Sequence, residues 1–149
     1  MNNDNRSIII SKILTILFMA FLVTTLIFTP TLVARLIFMS TNASNAGPTL
    51  FFTTIYIGAI PAIALLTSTY LLLDKIGKGE VFVNENVTYL RFMSWCFYAG
   101  GVISLASALY YPAWLPIGIA AVFMGIVIRV VKSVIAKAIS LQDDVDHTI

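Results

Sequence analysis

The chain has 149 residues, of which 59% are hydrophobic and 11% are charged, whereas roughly 25% of the residues of a typical soluble domain are charged. Its formal net charge is +2, and eight of the nine basic residues and all seven acidic residues lie in short clusters separated by long uncharged stretches. This composition excludes a soluble globular protein. The length allows one compact membrane domain and no second domain.

Three uncharged intervals predict the number of membrane spans, namely residues 13–34, 36–73 and 92–128. Because a helix needs roughly 20 apolar residues to cross the bilayer, the first interval has the length of one span and the other two have nearly the length of two. Turn-forming residues at 40–48 and two prolines among aromatic residues at 110–116 divide the long intervals. We therefore predict an all-α polytopic membrane protein with four transmembrane helices in two hairpins.

The four predicted helices form a single four-helix bundle over residues 1–149 and cover about residues 8–38, 48–76, 85–110 and 113–141. The first helix contains Pro30, which removes one backbone hydrogen-bond donor. We expect a bend or a loosening of the helix there, compensated by Thr29 or by a neighbouring helix.

The basic residues predict the orientation of the chain. With four spans, eight of the nine basic residues fall on one side of the membrane, together with all seven acidic residues, and only Arg35 falls on the other side. Because loops rich in Lys and Arg stay in the cytoplasm, both termini are predicted to be cytoplasmic. Arg35 then has no carboxylate partner on its own side of the membrane. Two interpretations stay open: a helix-end arginine that reaches the lipid headgroups, or an outer-face contact for an anion or ligand.

Small residues recur at helical spacing in three of the predicted helices, where they allow close packing of helix backbones in lipid. They are Gly58 and Ala62, then Gly100, Ser104 and Ala108, and then Gly118, Ala121 and Gly125. We interpret them as packing positions inside the bundle, with a homo-oligomer interface as the alternative.

The sequence offers no catalytic set. No Asp, Glu, His, Lys or Arg lies in the middle of a predicted span, which argues against a pump or an ion-coupled transporter. The only histidine, His147, lies near the C-terminus, and the only cysteine, Cys96, lies in an apolar helix. We therefore expect no enzyme activity, no metal and no cofactor.

The cytoplasmic loop between the second and third helices contains specific turn and cap signals. Gly77 and Gly79 favour the end of the second helix, and Asn84 followed by Glu85 predicts an N-cap with a negative first turn. Residues 81–83 are expected to return to the membrane surface or to pack beneath the bundle.

After Arg129 the last helix becomes amphipathic, which predicts a cytoplasmic extension of about three turns that ends near Leu141. One face is apolar and the other is basic and polar: Val130, Val131, Val134, Ile135, Ala138 and Ile139 against Arg129, Lys132, Ser133, Lys137 and Ser140. The extension either packs along the cytoplasmic end of the bundle with its cations on anionic lipid, or offers a docking platform to a soluble protein.

Two cytoplasmic stretches carry a family resemblance. Residues 79–91, Gly-Glu-Val-Phe-Val-Asn-Glu-Asn-Val-Thr-Tyr-Leu-Arg, and the ending at 141–149, Leu-Gln-Asp-Asp-Val-Asp-His-Thr-Ile, resemble a bacterial four-helix membrane family catalogued as domain of unknown function 2975. The chain departs from that family at Val81, where proline is more common, and at His147, where an apolar residue is more common. The resemblance implies a small protein of the bacterial inner membrane, often encoded beside a small helix-turn-helix regulator.

Our leading hypothesis is a non-enzymatic regulatory or interaction protein that acts through its cytoplasmic loop and C-terminal segment. Its expected partners are the lipid bilayer and, by the resemblance, a cytosolic helix-turn-helix regulator, with no direct contact to nucleic acid. The candidate interaction residues are Phe82, Glu85, Asn86, Arg91, Asp143, Asp144 and Asp146. The alternative is a transport or toxin-immunity component that acts through the bundle and its outer face near Arg35.

Overall fold

The computed structural model describes residues 3–39 and 47–148, and within these ranges the chain forms five α-helices. They are α1 (Asn3–Ile27), α2 (Thr29–Met39), α3 (Gly47–Gly77), α4 (Asn84–Ser107) and α5 (Trp114–Thr148). The all-α prediction is confirmed. Most of the turn predicted at 40–48 lies outside the described residues.

Three helices of the described chain are long and apolar enough to cross a membrane: α1 with 25 residues, α3 with 31 and α5 with 35. The predicted third span, α4, is not among them. Arg91, several serines and two adjacent glycines lower the apolar content of α4. Three of the four predicted spans therefore have the length and composition of a membrane span in the described chain.

The break between α1 and α2 occurs at Phe28, two residues before Pro30. Because proline has no N–H, the carbonyl of Leu26 loses its partner within the helix. The Tyr56 hydroxyl of α3 donates to this carbonyl oxygen at 3.5 Å, and the buried Thr29 hydroxyl donates to the Thr25 carbonyl oxygen at 2.8 Å. The predicted loosening at Pro30 and its compensation are both confirmed.

The last helix is longer than its sequence pattern predicts. We expected α5 to end near Leu141, but α5 continues to Thr148. No glycine or proline occurs between 126 and 149, so no residue in this segment terminates the helix. The acidic residues therefore lie on a helix with defined faces.

The helices pack in chain order. α1 packs on α3, α3 on α4 and α4 on α5, while α2 packs chiefly on α3. In the described residues α1 and α5 make almost no direct contact, so the predicted four-helix bundle is not confirmed. We call the end that holds residues 78–83 the loop end, and the opposite end, which holds residues 108–113, the far end.

Glycines bring α4 and α5 into close contact. A Cβ atom at Gly101 would lie 2.7 Å from the Val122 side chain, and one at Gly118 would lie 2.7 Å from the Leu105 side chain. The packing role predicted for Gly118 is therefore confirmed. The role predicted for Gly100 is wrong, because a Cβ atom there would meet nothing within 4 Å.

Two apolar clusters pack the helices against one another, one at the loop end and one at the far end. At the loop end Leu72, Leu90 and Met93 are buried, and Ile128 and Ile135 of α5 pack against them. At the far end the buried pair is Val33 of α2 and Phe51 of α3, against which two aromatic residues of the turn after α4, Tyr110 and Tyr111, also pack. These clusters join α3, α4 and α5 at the loop end, and α2, α3 and the turn after α4 at the far end.

Candidate interaction surface at the loop end

The loop between α3 and α4 is fixed by Asn86. Its side chain is only 1% exposed, and its Nδ2 donates to the carbonyl oxygens of Glu80 at 2.7 Å and Val81 at 2.8 Å. Gly79, with a φ of 82°, makes the turn that leaves α3 in a conformation that side chains rarely adopt. Asn86 therefore shapes the loop from inside, and its side chain is not available as a contact surface.

The start of α4 differs from its prediction. We expected Asn84 to be the N-cap, but Asn84 is the first helical residue and the cap position belongs to Val83, which makes no side-chain capping bond. Because Asn86 binds the loop carbonyls from inside the first turn, no capping side chain is needed to hold the loop there. Glu85 lies in the first turn, as predicted.

Two groups of ion pairs tie the loop to the helix ends. Lys75 Nζ lies 2.5 Å from Glu85 Oε2 and 3.3 Å from Glu80 Oε2. Glu85, a predicted interaction residue, is therefore neutralised within the chain.

Asp74 forms the second group, with Lys12 Nζ at 2.8 Å and Lys78 Nζ at 3.1 Å. This group joins α1 to the end of α3, and the Lys12 ammonium also lies 5.5 Å from the centre of the Tyr70 ring. Neither group of ion pairs was predicted from the sequence, although opposite charges cluster at one end of the predicted helices and could have indicated them.

Three of the predicted loop residues are exposed, namely Phe82, Arg91 and Glu85, the last of which is paired with Lys75. The Phe82 side chain is 51% exposed, while its neighbours Val81 and Val83 are half-buried. Arg91 is exposed as well, and within the described chain no carboxylate pairs with it. Phe82 and Arg91 are therefore the exposed loop-end residues of the predicted set that take part in no ion pair of the described chain.

The C-terminal part of α5 projects beyond the other helices. In the antiparallel pair, Ser94 Oγ of α4 donates to the Gly125 carbonyl oxygen of α5 at 3.0 Å, and Gly101 lies against Gly118. This register brings Asn84 level with about residue 135, so the last 13 residues of α5 (residues 136–148) extend past the start of α4 by roughly 20 Å at a rise of 1.5 Å per residue.

The projecting part has a covered and an uncovered portion. Ile139 is 9% exposed, whereas every residue from 140 to 148 is exposed. We call residues 140–148 the acidic end. Leu141 and Val145, 56% and 59% exposed, lie one helical turn apart and form a short apolar stripe on it.

The acidic residues of this segment have no partner in the described chain. Asp143, Asp144 and Asp146 are exposed, and no ion pair among residues 3–39 and 47–148 includes them. His147 turns its Nδ1 to the Asp143 carbonyl oxygen at 2.9 Å. No group of three or more His, Cys, Asp or Glu side chains in the described residues is placed to hold a metal ion.

The basic, amphipathic segment before the acidic end is only partly covered. Ile135 packs in the loop-end cluster and Ile139 is buried, while Val130 and Val134 are 58% and 62% exposed. The predicted apolar face thus divides into a stripe that packs on the neighbouring helices and a stripe turned away from them. At the opposite end of the molecule, Arg35 is exposed on α2.

Long apolar helices with charged groups gathered at the loop end indicate an α-helical membrane protein. The chain belongs to the family described as protein of unknown function (DUF2975), whose model matches residues 38–149. The resemblance of residues 79–91 and 141–149 to this family is therefore confirmed. No curated protein and no solved structure matches the chain significantly.

Proposed function

We propose that this chain is a multi-pass protein of the bacterial inner membrane in which α4 also crosses the membrane. Together with α1, α3 and α5 it gives four crossings. α4 lies between α3 and α5 and buries small polar and glycine residues, among them Ser94, Gly101 and Ser104. Less of its surface faces lipid than that of an outer helix, so lower hydropathy is compatible with a membrane span. Four crossings put both termini on one side of the membrane.

The distribution of cations supports a cytoplasmic loop end. Lys12 and Lys78 both pair with Asp74 there, and Lys75 pairs with Glu80 and Glu85. Arg91 and Lys137 belong to the loop-end half of their helices. Arg35 belongs to α2, toward the far end. By the positive-inside rule this asymmetry orients the loop end toward the cytoplasm.

In this orientation the protein acts as a non-enzymatic interaction or regulatory protein, and the observation that supports this function is the fully exposed acidic end. A helical terminus that projects past its neighbours has no role in holding the row of helices together. Its Leu141 and Val145 stripe offers apolar contact area, and the carboxylates beside it determine which partners are attracted.

The charge of the acidic end selects for a cationic partner. The carbonyl end of a helix is already partly negative, so Asp143, Asp144 and Asp146 add charge where the helix dipole disfavours it. A cationic surface would relieve this repulsion on binding. Anionic lipid headgroups would increase it, which favours a position of the acidic end in water rather than on the membrane.

The partner that fits this surface is a small soluble DNA-binding protein of the helix-turn-helix type, as the family resemblance implies. Such proteins bind phosphate groups with Lys and Arg side chains. The acidic end would bind the same cationic surface at the membrane, and Phe82 and Arg91 are further candidate contacts at the loop end. Binding to this chain and binding to DNA would then compete.

Co-purification in mild detergent tests this function. The full-length protein is purified together with a helix-turn-helix regulator that is encoded beside it. The wild type should retain the regulator, and the triple variant Asp143→Asn, Asp144→Asn and Asp146→Asn should lose most of it. The variant keeps side-chain size and removes repulsion at the helix end, so the fold should be preserved.

Two control variants separate a local effect from a general one. Asp4→Asn removes an exposed acidic residue from the other terminus, and Arg35→Ala removes the exposed cation of α2. Both should retain the regulator as the wild type does. Equal retention by the triple variant would contradict the proposed function, and loss in Arg35→Ala alone would favour the outer-face alternative.

A further inference from the structure

Two pockets follow each other along the groove between α1 and α3. The first, which we call the charged pocket, lies at the loop end, and its polar lining residues are Asn5, Lys12, Asp74 and Lys78. The second, which we call the apolar groove, has a volume of about 610 Å³ and includes Met19 of α1 and Leu66 and Tyr70 of α3 in its lining. This volume is within the usual range of ligand sites, about 300–1,000 Å³.

The two pockets share one side of each helix. On α3, Leu66, Tyr70, Asp74 and Lys78 are spaced four residues apart, so one face of the helix lines both pockets. Lys12 joins them, because it lines the charged pocket and its Nζ lies 5.5 Å from the centre of the Tyr70 ring in the apolar groove. The pockets are therefore two parts of one continuous groove.

The two parts meet at the level where the uncharged intervals end. Lys12 directly precedes the interval 13–34, and Asp74 directly follows the interval 36–73. α1 and α3 run antiparallel, and the ion pair of 2.8 Å between these residues places both interval ends side by side. Because charged side chains mark the boundary of the hydrocarbon region, the charged pocket lies at headgroup level and the apolar groove lies inside the hydrocarbon.

The charged pocket has more cations than anions. Asp74 Oδ1 lies 2.8 Å from Lys12 Nζ, and Asp74 Oδ2 lies 3.1 Å from Lys78 Nζ, so one carboxylate serves two ammonium groups. Each ammonium group has three N–H donors, and the Lys78 side chain is 65% exposed. Among the described residues no other charged side chain lines this pocket. The pocket thus retains a positive charge and unused donors for an anion.

The neighbouring group of ion pairs has the opposite excess. There Lys75 faces two carboxylates, those of Glu80 and Glu85. An anion that approaches the loop end is therefore attracted to the α1 side of α3 and repelled from the group formed with α4. Asn5 belongs to the first turn of α1, where the partial positive charge of a helix N-terminus adds to the attraction.

We propose that the groove between α1 and α3 binds an anionic phospholipid, with its phosphate between Lys12 and Lys78 and one acyl chain along the apolar groove past Met19. Lysines alone would bind free phosphate, and an apolar groove alone would accept any hydrocarbon. Their order along the groove, excess positive charge at the membrane boundary followed by apolar surface, matches a phospholipid. The inference does not depend on the proposed function.

The charges also select among phospholipids. A zwitterionic headgroup brings a cation of its own into a pocket that already has an excess of cations. Asp74 is the only carboxylate that lines the pocket in the described chain, and both of its oxygens are already paired with lysine. A headgroup with a net negative charge is therefore favoured over a zwitterionic one.

Native mass spectrometry of the full-length protein in an uncharged detergent tests the inference by counting bound lipids. Phosphatidylglycerol should form a complex that saturates at one lipid per chain. Phosphatidylcholine with the same acyl chains should bind about fivefold more weakly, the factor that corresponds to about 1 kcal/mol per charge near a membrane surface. Inorganic phosphate at the same concentration should not displace phosphatidylglycerol, because it has no chain to fill the apolar groove.

Two substitutions in the charged pocket should act in opposite directions. Lys78→Gln removes an exposed cation and should weaken binding of phosphatidylglycerol about fivefold. Asp74→Asn deletes two ion pairs but also removes the negative charge beside the phosphate, so binding should become tighter by a similar factor. A merely structural role of Asp74 predicts the reverse, since a loosened groove would bind less well. Lys137→Gln, an exposed cation of α5 outside the pocket, is the control and should bind as the wild type does.

A substitution in the apolar groove tests the position of the acyl chain. Ala20 is exposed and lines the groove, so Ala20→Phe should fill it and abolish the saturating complex. Ala120→Phe, at an exposed position of α5 outside the groove, is the matched control and should retain it.

Each part of the inference can be overturned separately. Equal affinity for phosphatidylglycerol and phosphatidylcholine would contradict the selection by charge, and so would weaker binding in Asp74→Asn. Displacement of the lipid by inorganic phosphate would show a phosphate site without a lipid. Unchanged saturation in Ala20→Phe would exclude the apolar groove, and a complex of two protein chains without lipid would show that a second copy covers it.

Discussion

The side-chain Nδ2 of Asn86 donates a hydrogen bond of 2.7 Å to the backbone carbonyl oxygen of Glu80, which lies six residues earlier and outside α4. The same nitrogen bonds the Val81 carbonyl oxygen at 2.8 Å. One amide from the first turn of a helix thus satisfies two backbone acceptors of the loop that precedes it. The position of Phe82, the exposed loop aromatic, depends on this arrangement.

Replacing Asn86 should loosen the loop end without unfolding the protein. Asn86→Ala leaves two loop carbonyls without their donor, so we expect a loss of about 1–3 kcal/mol in local stability. Backbone amides of residues 78–83 should exchange hydrogen faster, while those in the middle of α3 and α4 should not. Asn84→Ala, which removes an exposed side chain that caps nothing, is the control; equal exchange in both variants would show that Asn86 does not fix the loop.

Two adjacent glycines should respond in opposite ways to the same substitution. Gly101→Ala places a methyl group 2.7 Å from Val122, and we expect a loss of about 1–3 kcal/mol from overpacking. Gly100→Ala meets no atom within 4 Å and should be neutral or stabilising by up to about 1 kcal/mol, because alanine favours the helix. Thermal unfolding in one detergent measures both variants, and equal midpoints would contradict the observed α4–α5 contact.

A buried hydroxyl group joins α3 to the far end of α4. Thr54→Val keeps the shape of the side chain and removes the bonds to Ser107 and Tyr110, which should cost about 0.6–1.7 kcal/mol in a membrane setting. Thr53→Val is the matched control, since Thr53 is exposed and its hydroxyl bonds the Thr49 carbonyl oxygen of its own helix. Chemical unfolding of the two variants should differ, and a destabilised Thr53→Val with an unaffected Thr54→Val would refute this account.

The sequence predicted the features that depend on local composition. Uncharged intervals and turn residues located the helices, and Pro30 located the break after α1, because each acts on its own stretch of backbone. Features that depend on contacts between distant residues were not predictable in the same way. Gly101 contacts α5 and its neighbour Gly100 does not, because of the rotation of α4 against α5. The spacing of small residues does not determine this rotation.

In the candidate site, too, local features were predictable from the sequence and contacts between distant residues were not. The sequence identified the charged segments of the loop end, but not that Asn86 is buried or that Glu85 is paired with Lys75. It also placed the end of α5 too early, because acidic residues near a C-terminus are typical of mobile tails as well as of exposed helices.

Photocrosslinking from the acidic end tests the proposed function most directly. A photoreactive residue at Val145, 59% exposed on the acidic end, is compared with one at Val130, 58% exposed on the basic segment before it. We predict a covalent adduct with the helix-turn-helix regulator from position 145 that disappears when Asp143, Asp144 and Asp146 are changed to Asn, and none from position 130. Equal adducts at both positions, or an adduct at 145 that survives neutralisation of the three aspartates, would contradict the account.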